Sequence, residues 1–132
     1  MRFTYLCPRC HAHLNAREET IALLAERGEH RGLVMFSSEP GNYEFFSARG
    51  LDVVEGDVWT FRCPVCDHDL TESDKPKLAR ITLDTQKGEH AVYFSRTAGE
   101  HATFVVDAEG VVEAHGEHRS IYEQVVWFSI DH

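Results

Sequence analysis

A short motif containing two aromatic residues, a threonine and two cysteines occurs twice in the chain. The first copy spans residues 3–10 with the sequence FTYLCPRC, and the second spans residues 59–66 with the sequence WTFRCPVC. A leucine follows each copy at the same distance, as Leu14 and Leu70. The two copies contain all four cysteines of the protein, which are Cys7, Cys10, Cys63 and Cys66.

The spacing of these cysteines indicates a metal site. Two cysteines separated by two residues can bind one ion from a single tight turn, and two such turns supply the four thiolates of a closed structural zinc site. The residue after the second cysteine often adopts a left-handed backbone, and His11 and Asp67 belong to the few non-glycine types enriched there. We therefore expect one zinc ion per chain at the four cysteines, with iron at the same site as the alternative.

Other uses of the cysteines fit the sequence less well. Disulfides would be expected after a secretory leader, but no charged and apolar leader precedes Cys7. A thioredoxin-like redox pair would be expected at the start of a helix in a βαβ unit, whereas each pair here follows a predicted strand. Unrelated free thiols would not share flanking sequences, so the metal site remains the preferred interpretation.

The paired Cys-Pro-x-Cys turns resemble the zinc knuckles of zinc-ribbon proteins, a shape that rubredoxins also use for iron. The likeness covers residues 3–14 and 59–70, and both copies lack the glycine that usually follows the second cysteine. The spacer between Cys10 and Cys63 is longer than that of a minimal ribbon. The resemblance implies a bound metal and a local ribbon fold, but it implies no particular function.

The remaining sequence predicts an α+β fold with a metal-tied sheet, one amphipathic helix and a C-terminal antiparallel β meander. Asn15 and Glu18 have the spacing of a capping box, an apolar stripe follows, and Gly28 suits a helix end. We therefore expect a helix over residues 16–27. Strands are expected at residues 3–7, 33–37, 43–46, 51–54, 58–61, 78–84, 90–95, 101–107, 111–115 and 121–130. Those at 51–54 and 58–61 are expected to form a hairpin that leads into the second knuckle.

Length and charge limit the classes of function. At 132 residues the chain is expected to be a single domain over 1–132, with a zinc-knuckle half at 1–72 and a β-rich half at 78–132. No apolar run approaches the length of a membrane span, so we expect a cytoplasmic protein with no membrane partner. The net charge of −9 and the dispersed arginines disfavour nucleic-acid binding. Arg9 and Arg62 lie beside the cysteines and could offset the charge of a four-thiolate centre.

The tripeptide Gly-Glu-His occurs four times, at residues 28–30, 88–90, 99–101 and 116–118. Turn chemistry explains it most simply, because glycine supplies an unusual φ and the histidine opens the next strand. Alternatively, the histidines converge with a nearby glutamate as a second metal site or an acid–base pair. The residues involved would be His90, His101, His115 and His118, with Glu89, Glu100 or Glu117. If a site exists away from the knuckles, we expect it at the polar stretch 95–101.

The sequence favours a small protein with structural zinc and without an enzymatic activity, acting as a protein-interaction or adaptor module. No nucleophile motif, phosphate loop or dinucleotide fingerprint is present, so no catalytic or cofactor-binding residue is predicted besides the metal ligands. Three alternatives remain: a metal-dependent enzyme or sensor using the Gly-Glu-His histidines, a nucleic-acid-binding ribbon, and an iron electron carrier. The protein partner is not identified by the sequence.

Overall fold

Two antiparallel β-sheets make up the fold in the computed structural model, which describes residues 3–17, 19–48 and 50–122. The strands are β1 (Thr4–Leu6), β2 (Asn15–Arg17), β3 (Thr20–Arg27), β4 (His30–Ser37), β5 (Phe45–Ser47), β6 (Thr60–Arg62), β7 (Thr71–Glu72), β8 (Lys75–Thr85), β9 (Gly88–Ser95), β10 (Thr103–Val106) and β11 (Val112–His115). A single 3₁₀ turn at Arg119–Ile121 follows them within the described residues. Sheet A has the order β1-β8-β9-β10-β11, with β7 also on β8, and sheet B has the order β2-β3-β4-β5, with β6 also on β3. The predicted α+β class is therefore wrong, since the described ranges contain no α-helix.

The helix predicted over residues 16–27 is replaced mainly by strand β3. Its burial alternates residue by residue, so that Ile21, Leu23 and Ala25 face the core while Leu24 is more exposed. Strand β3 pairs with β4 along its whole length on one edge, and with β2 and β6 on the other. The Ala, Leu and Glu content of this segment favours a helix locally, but ladder pairing on both edges overrides such weak propensities.

The two expected helix caps have other roles. Gly28 lies at the first position of the two-residue turn between β3 and β4, with φ of 61°, as tight hairpins require. The Asn15 side chain accepts a hydrogen bond from the Tyr5 backbone N–H at 2.7 Å and donates to the Phe3 carbonyl at 2.8 Å. Asn15 thus fastens β1 to the start of β2. Glu18, the other residue of the expected capping box, lies outside the described residues.

The predicted hairpin of residues 51–54 and 58–61 is also wrong. Residues 51–54 form no strand, and β6 pairs with β3. Val58 makes an isolated bridge to Thr97, and the Trp59 N–H donates to the Arg96 carbonyl at 2.9 Å. The predicted C-terminal meander is confirmed for β8 to β11, which are consecutive antiparallel neighbours. The last expected strand, at 121–130, falls almost wholly outside the described residues, and Ile121 itself belongs to the 3₁₀ turn.

The internal repeat extends well beyond the cysteine motifs. Tyr5 of β1 pairs with Leu83 of β8, and the equivalent Phe61 of β6 pairs with Ala25 of β3. The hairpin of β3 and β4 corresponds in register to that of β8 and β9, and the pairing of β4 with β5 corresponds to that of β9 with β10. The chain therefore contains two copies of one unit, and the first strand of each copy pairs within the sheet of the other.

The main core lies between the two sheets. Sheet B contributes Leu23, which is fully buried, and sheet A contributes Ile81 and Val92, which are nearly so. Tyr5 and Trp59, from the two repeated motifs, complete the same cluster. Burial of a large apolar side chain contributes roughly 1.5–3 kcal/mol, so this layer is a major source of stability beside any bound metal.

Candidate metal centre and neighbouring cavities

Each cysteine pair lies in a turn that follows an edge strand. In the first turn the His11 N–H donates to the Cys7 carbonyl at 3.0 Å, and in the second the Asp67 N–H donates to the Cys63 carbonyl at 2.9 Å. His11 and Asp67 have φ of 62° and 65°. The left-handed backbone predicted at both positions is therefore confirmed.

The two turns, one from each copy of the repeat, bring the four thiols together. The Sγ atoms of Cys7 and Cys66 lie 3.7 Å apart, as do those of Cys10 and Cys63. All four sulfurs lie within 4.8 Å of one another. A tetrahedral ion with bonds of about 2.3 Å holds neighbouring sulfurs about 3.8 Å apart, so these thiols can bind one metal ion with little movement. The sulfurs are too far apart for a disulfide, and the cysteines are free.

The four thiols differ in their environment. Cys7 and Cys63 are completely buried, whereas Cys10 and Cys66 are exposed. Burial raises the pKa of Cys7 to about 12 and also raises the pKa of Cys63, whereas the backbone N–H of Ala12 lowers the pKa of Cys10. Buried thiols of this kind ionise readily only beside a cation, and a metal ion supplies that charge.

Backbone N–H groups converge on the two buried sulfurs. The N–H groups of Arg9 and Cys10 point to the Sγ of Cys7 at 3.4 and 3.5 Å, and that of Val65 points to the Sγ of Cys63 at 3.3 Å. Such donors stabilise a negative sulfur, so the turn backbone is arranged for thiolates.

The basic side chains near the centre have different surroundings. Arg62 donates to the Asp67 carbonyl at 3.0 Å, which places its guanidinium on the backbone of the second cysteine turn. Arg31 adds an ion pair with the Asp67 carboxylate at 2.5 Å. Arg9 is exposed at the surface of the first turn. Arg62 thus contacts the second cysteine turn through Asp67, and its Nε lies 3.6 Å from the Glu26 carboxylate.

Of the histidines in the Gly-Glu-His copies, two converge with a glutamate. Possible ligand atoms of His101, Glu117 and His118 lie within 4.8 Å of one another. The Nδ1 of His101 lies 3.2 Å from Glu117 Oε1, and the Nδ1 of His118 accepts a hydrogen bond from the His101 backbone N–H at 2.9 Å. His90 contacts Thr85 instead, at the far end of the β8–β9 hairpin.

His115, the fourth candidate, is not part of this group within the described residues. Its Nε2 lies 3.0 Å from the Glu113 carboxylate on the same strand. The predicted convergence of histidines is therefore limited to His101 and His118.

A cavity of about 160 Å³ lies between the sheets, beside His101. Its walls include Ile21, Val34, Phe36, Ile81, Val92 and Phe94, and its polar side includes residues 95–101 with Tyr43 and Thr103. The sequence indicated this polar stretch as the place to expect a site. It did not indicate the cavity, because the walls come from strands of both sheets that are distant in sequence.

A second groove, of about 510 Å³, lies beside strand β5. It combines apolar rings with exposed carboxylates, and the relevant side chains are Phe3, Phe36, Phe46, Glu19, Glu39 and Glu44. Sequence reasoning missed this groove, although the adjacent pair Phe45 and Phe46 in a polar segment was a usable signal.

Comparisons with protein-family models, curated proteins and solved structures gave no match for this chain. None of the helices among the described residues is long and apolar enough to cross a membrane. The function must therefore be argued from the geometry of the metal centre and of the surfaces around it.

Proposed function

We propose that the four cysteines bind one zinc ion per chain and that this ion is structural. The spacing of the four sulfurs supports the proposal, since all four lie within 4.8 Å of one another and two pairs lie 3.7 Å apart. A metal with four protein ligands has no open position for a substrate or water. Iron is the alternative ion, and an iron-loaded protein would absorb visible light, whereas a zinc protein is colourless.

We further propose that the chain is a non-enzymatic, cytoplasmic protein-interaction module. The observation that carries this proposal is strand β5, which lies at the end of sheet B and pairs with β4 alone among the described strands. Phe46, at its centre, is 72% exposed. An unpaired edge with an exposed aromatic side chain is a ready template for another strand, and proteins usually protect such edges.

The occupant we propose is an extended polypeptide segment that combines basic and apolar side chains. The groove beside β5 presents apolar rings together with the carboxylates of Glu19, Glu39 and Glu44, all of which are exposed. The whole chain carries a net charge of −9. Lysine or arginine side chains of an added strand would face these carboxylates, and its apolar side chains would cover Phe46.

A capped peptide of alternating valine and lysine is the probe that tests this proposal. The zinc-loaded chain should bind it saturably near physiological salt, by calorimetry, and bind the matched valine and glutamate peptide at least about tenfold more weakly. Phe46→Lys should weaken binding of the lysine peptide by a similar factor, because it removes the exposed ring and adds a like charge.

The matched control is Val111→Lys, since Val111 is 62% exposed and lies in the β10–β11 loop, outside the groove. This variant should bind the lysine peptide like the unmodified chain. Equal binding of the two peptides, or equal effects of the two variants, would contradict a site at β5.

The alternative function is a metal-dependent enzyme or metal sensor at His101, Glu117 and His118. Their proximity favours it, because two histidines and a carboxylate form an open ligand set. However, His118 Nδ1 accepts a backbone hydrogen bond, so the neutral ring carries its proton on Nε2 and has no lone pair free there. A second bound metal per chain that is lost in His118→Ala would favour this alternative.

A nucleic-acid-binding ribbon is the other alternative. Phosphate binding requires clustered basic side chains, whereas Arg31 and Arg62 near the centre are engaged with Asp67 and Glu26. Salt-dependent binding to DNA or RNA would support it, and lack of binding at low salt would exclude it.

A further inference from the structure

The cavity between the sheets has apolar walls and one polar side. Phe36 and Phe94 approach each other with ring centroids 6.2 Å apart, and Phe61 contacts both rings. All three side chains line the cavity. The cavity thus lies within an aromatic cluster of the kind that packs well against a flat apolar ligand.

The size of the cavity sets the size of a ligand. Its volume of about 160 Å³ is close to that of an engineered apolar cavity of about 150 Å³ that binds benzene. Drug-sized molecules need about 300 Å³ or more. A single six-membered ring with one small substituent therefore fits this space.

Three charged residues line the cavity, namely Glu39, Arg96 and Glu100, and the Glu100 carboxylate is held by two neighbouring hydroxyls. Its Oε1 accepts hydrogen bonds from the Ser95 hydroxyl at 2.9 Å and from the Tyr122 hydroxyl. Its Oε2 has no hydrogen-bond partner in residues 3–17, 19–48 and 50–122. The two hydroxyls hold the carboxylate in place and leave one oxygen free to accept a hydrogen bond from a ligand.

Trp59 supplies a polar group of the opposite kind. The residue lines the cavity and is only 2% exposed, and its indole Nε1 has no hydrogen-bond acceptor among the described residues. A buried donor without an acceptor is costly, at about 1–3 kcal/mol. A ligand oxygen could relieve that cost, because a hydroxyl can accept a hydrogen bond as well as donate one.

We propose that this cavity is a binding site for a small phenol, with the ring between the sheets and the hydroxyl directed to Glu100. The cavity shares Phe36, Ser37, Glu39 and Asn42 with the groove at β5, whereas Val53, Trp59 and Glu100 line the cavity and not the groove. No cysteine lines the cavity. Variants at Val53 and Glu100 therefore test this site apart from the interaction proposed above. No covalent step is involved, and the cavity binds the molecule without changing it.

Phenol and benzene are the probes for this proposal, used with the full zinc-loaded chain in calorimetry or in protein-observed NMR. Phenol should bind saturably at one site and about tenfold more tightly than benzene, the factor expected for one hydrogen bond to a charged group. Glu100→Gln keeps an oxygen that can accept from Ser95 and Tyr122 but replaces the free oxygen with an N–H₂ group. This variant should bring the affinity for phenol close to that for benzene.

Two neighbouring variants locate the site. Val53 lines the cavity and is half-buried, whereas Val54 is 58% exposed and lies outside the lining. Val53→Trp should fill the space and abolish phenol binding, and Val54→Trp should leave it unchanged. Lack of saturable phenol binding to the unmodified chain, or equal binding by both tryptophan variants, would overturn the proposal.

Discussion

His11 and Asp67 belong to different copies of the repeat, yet they share one backbone conformation, with φ of 62° and 65°. Each closes its cysteine turn through a hydrogen bond to the carbonyl of Cys7 or Cys63. The equivalence continues to Leu14 and Leu70, whose N–H groups donate at 2.8 Å to residues of strands β1 and β6. The chain is thus a tandem repeat whose copies exchange their first strands around the four cysteines.

This exchange brings together one cysteine turn from each sheet, so that an ion bound by the four cysteines would act as a clasp between the sheets. Strand β1 lies at the edge of sheet A, and β6 lies at the edge of sheet B; each has three residues. Short edge strands form few hydrogen bonds of their own, so they depend on other contacts for their order. A metal ion bound by the four cysteines would fix the turns that follow both strands and so link the two copies directly.

Loss of one buried cysteine should therefore release the metal and destabilise both copies. We expect Cys63→Ser to reduce the bound metal to well under one ion per chain and to lower the free energy of unfolding by about 3 kcal/mol or more, since metal binding is coupled to folding. Metal analysis and urea denaturation measure these effects. Val65→Ala is the matched control, because Val65 lies in the same turn and is 68% exposed. Retention of a full metal equivalent by Cys63→Ser would contradict a four-cysteine site.

Chelation should affect the strands unequally. We expect amide hydrogen exchange to rise first at 4–6 and 60–62, because these short edge strands lead directly into the cysteine turns. The β3–β4 and β8–β9 hairpins should keep their protection longer, because each has a long, continuous ladder of paired residues. Exchange measured by mass spectrometry before and after chelator addition distinguishes this order from uniform unfolding, which would contradict the clasp.

The left-handed backbone at His11 gives a prediction about strain. Its side chain is exposed and forms no hydrogen bond or ion pair with described residues, so substitution changes mainly the backbone preference. We expect His11→Gly to be more stable than His11→Ala by about 1 kcal/mol, because a Cβ is disfavoured at this φ. Urea denaturation of the two zinc-loaded variants measures the difference. Asp67→Gly should gain less, since it also loses the ion pair with Arg31. Equal stability of the two His11 variants would show that the turn carries no such strain.

The local parts of this fold were predictable from the sequence, and the non-local parts were not. The cysteine turns follow from residue types and spacing within a few positions, so their ligands and the conformation of His11 could be predicted. The segment at 16–27 could not be assigned from its own composition, because its conformation depends on partners as distant as β6. The repeat contained the missing signal. The segment at 78–84, which corresponds in the second copy to strand β3 of the first, was correctly predicted to be a strand. Because a repeated unit is expected to adopt the same structure twice, this predicts a strand within 16–27 as well.

Gly116 should tolerate no side chain. Its φ is 100°, and a Cβ at this position would overlap the carbonyl oxygen of His101. We expect Gly116→Ala to lower the free energy of unfolding by about 3 kcal/mol, from the backbone strain together with the steric clash. Gly56→Ala is the control, since Gly56 has φ of 93° and open space around it. That variant should lose only about 1 kcal/mol. Thermal unfolding of the two zinc-loaded variants compares the losses, and similar values would mean that the contact at His101 relaxes without cost.

The guanidinium of Arg96 joins the start of strand β6, which leads into the second cysteine turn, to strand β8 of sheet A. It donates to the Trp59 carbonyl at 2.9 Å, to the Pro76 carbonyl at 2.6 Å and to the Thr60 hydroxyl at 3.0 Å. Because these acceptors lie on two separate chain segments, a planar group with several donors is needed to reach all of them.

Replacement of Arg96 by lysine keeps the charge but removes the fork of donors. We expect Arg96→Lys to lower the free energy of unfolding by about 2 kcal/mol, since one ammonium cannot replace all three hydrogen bonds. Arg17→Lys, at an exposed arginine without hydrogen bonds to described side chains, should change stability by less than about 0.5 kcal/mol. Urea denaturation of both variants measures the contrast. If Arg96→Lys were as stable as Arg17→Lys, positive charge alone would be sufficient at this junction, and the hydrogen-bonding geometry of Arg96 would not be what joins the two segments.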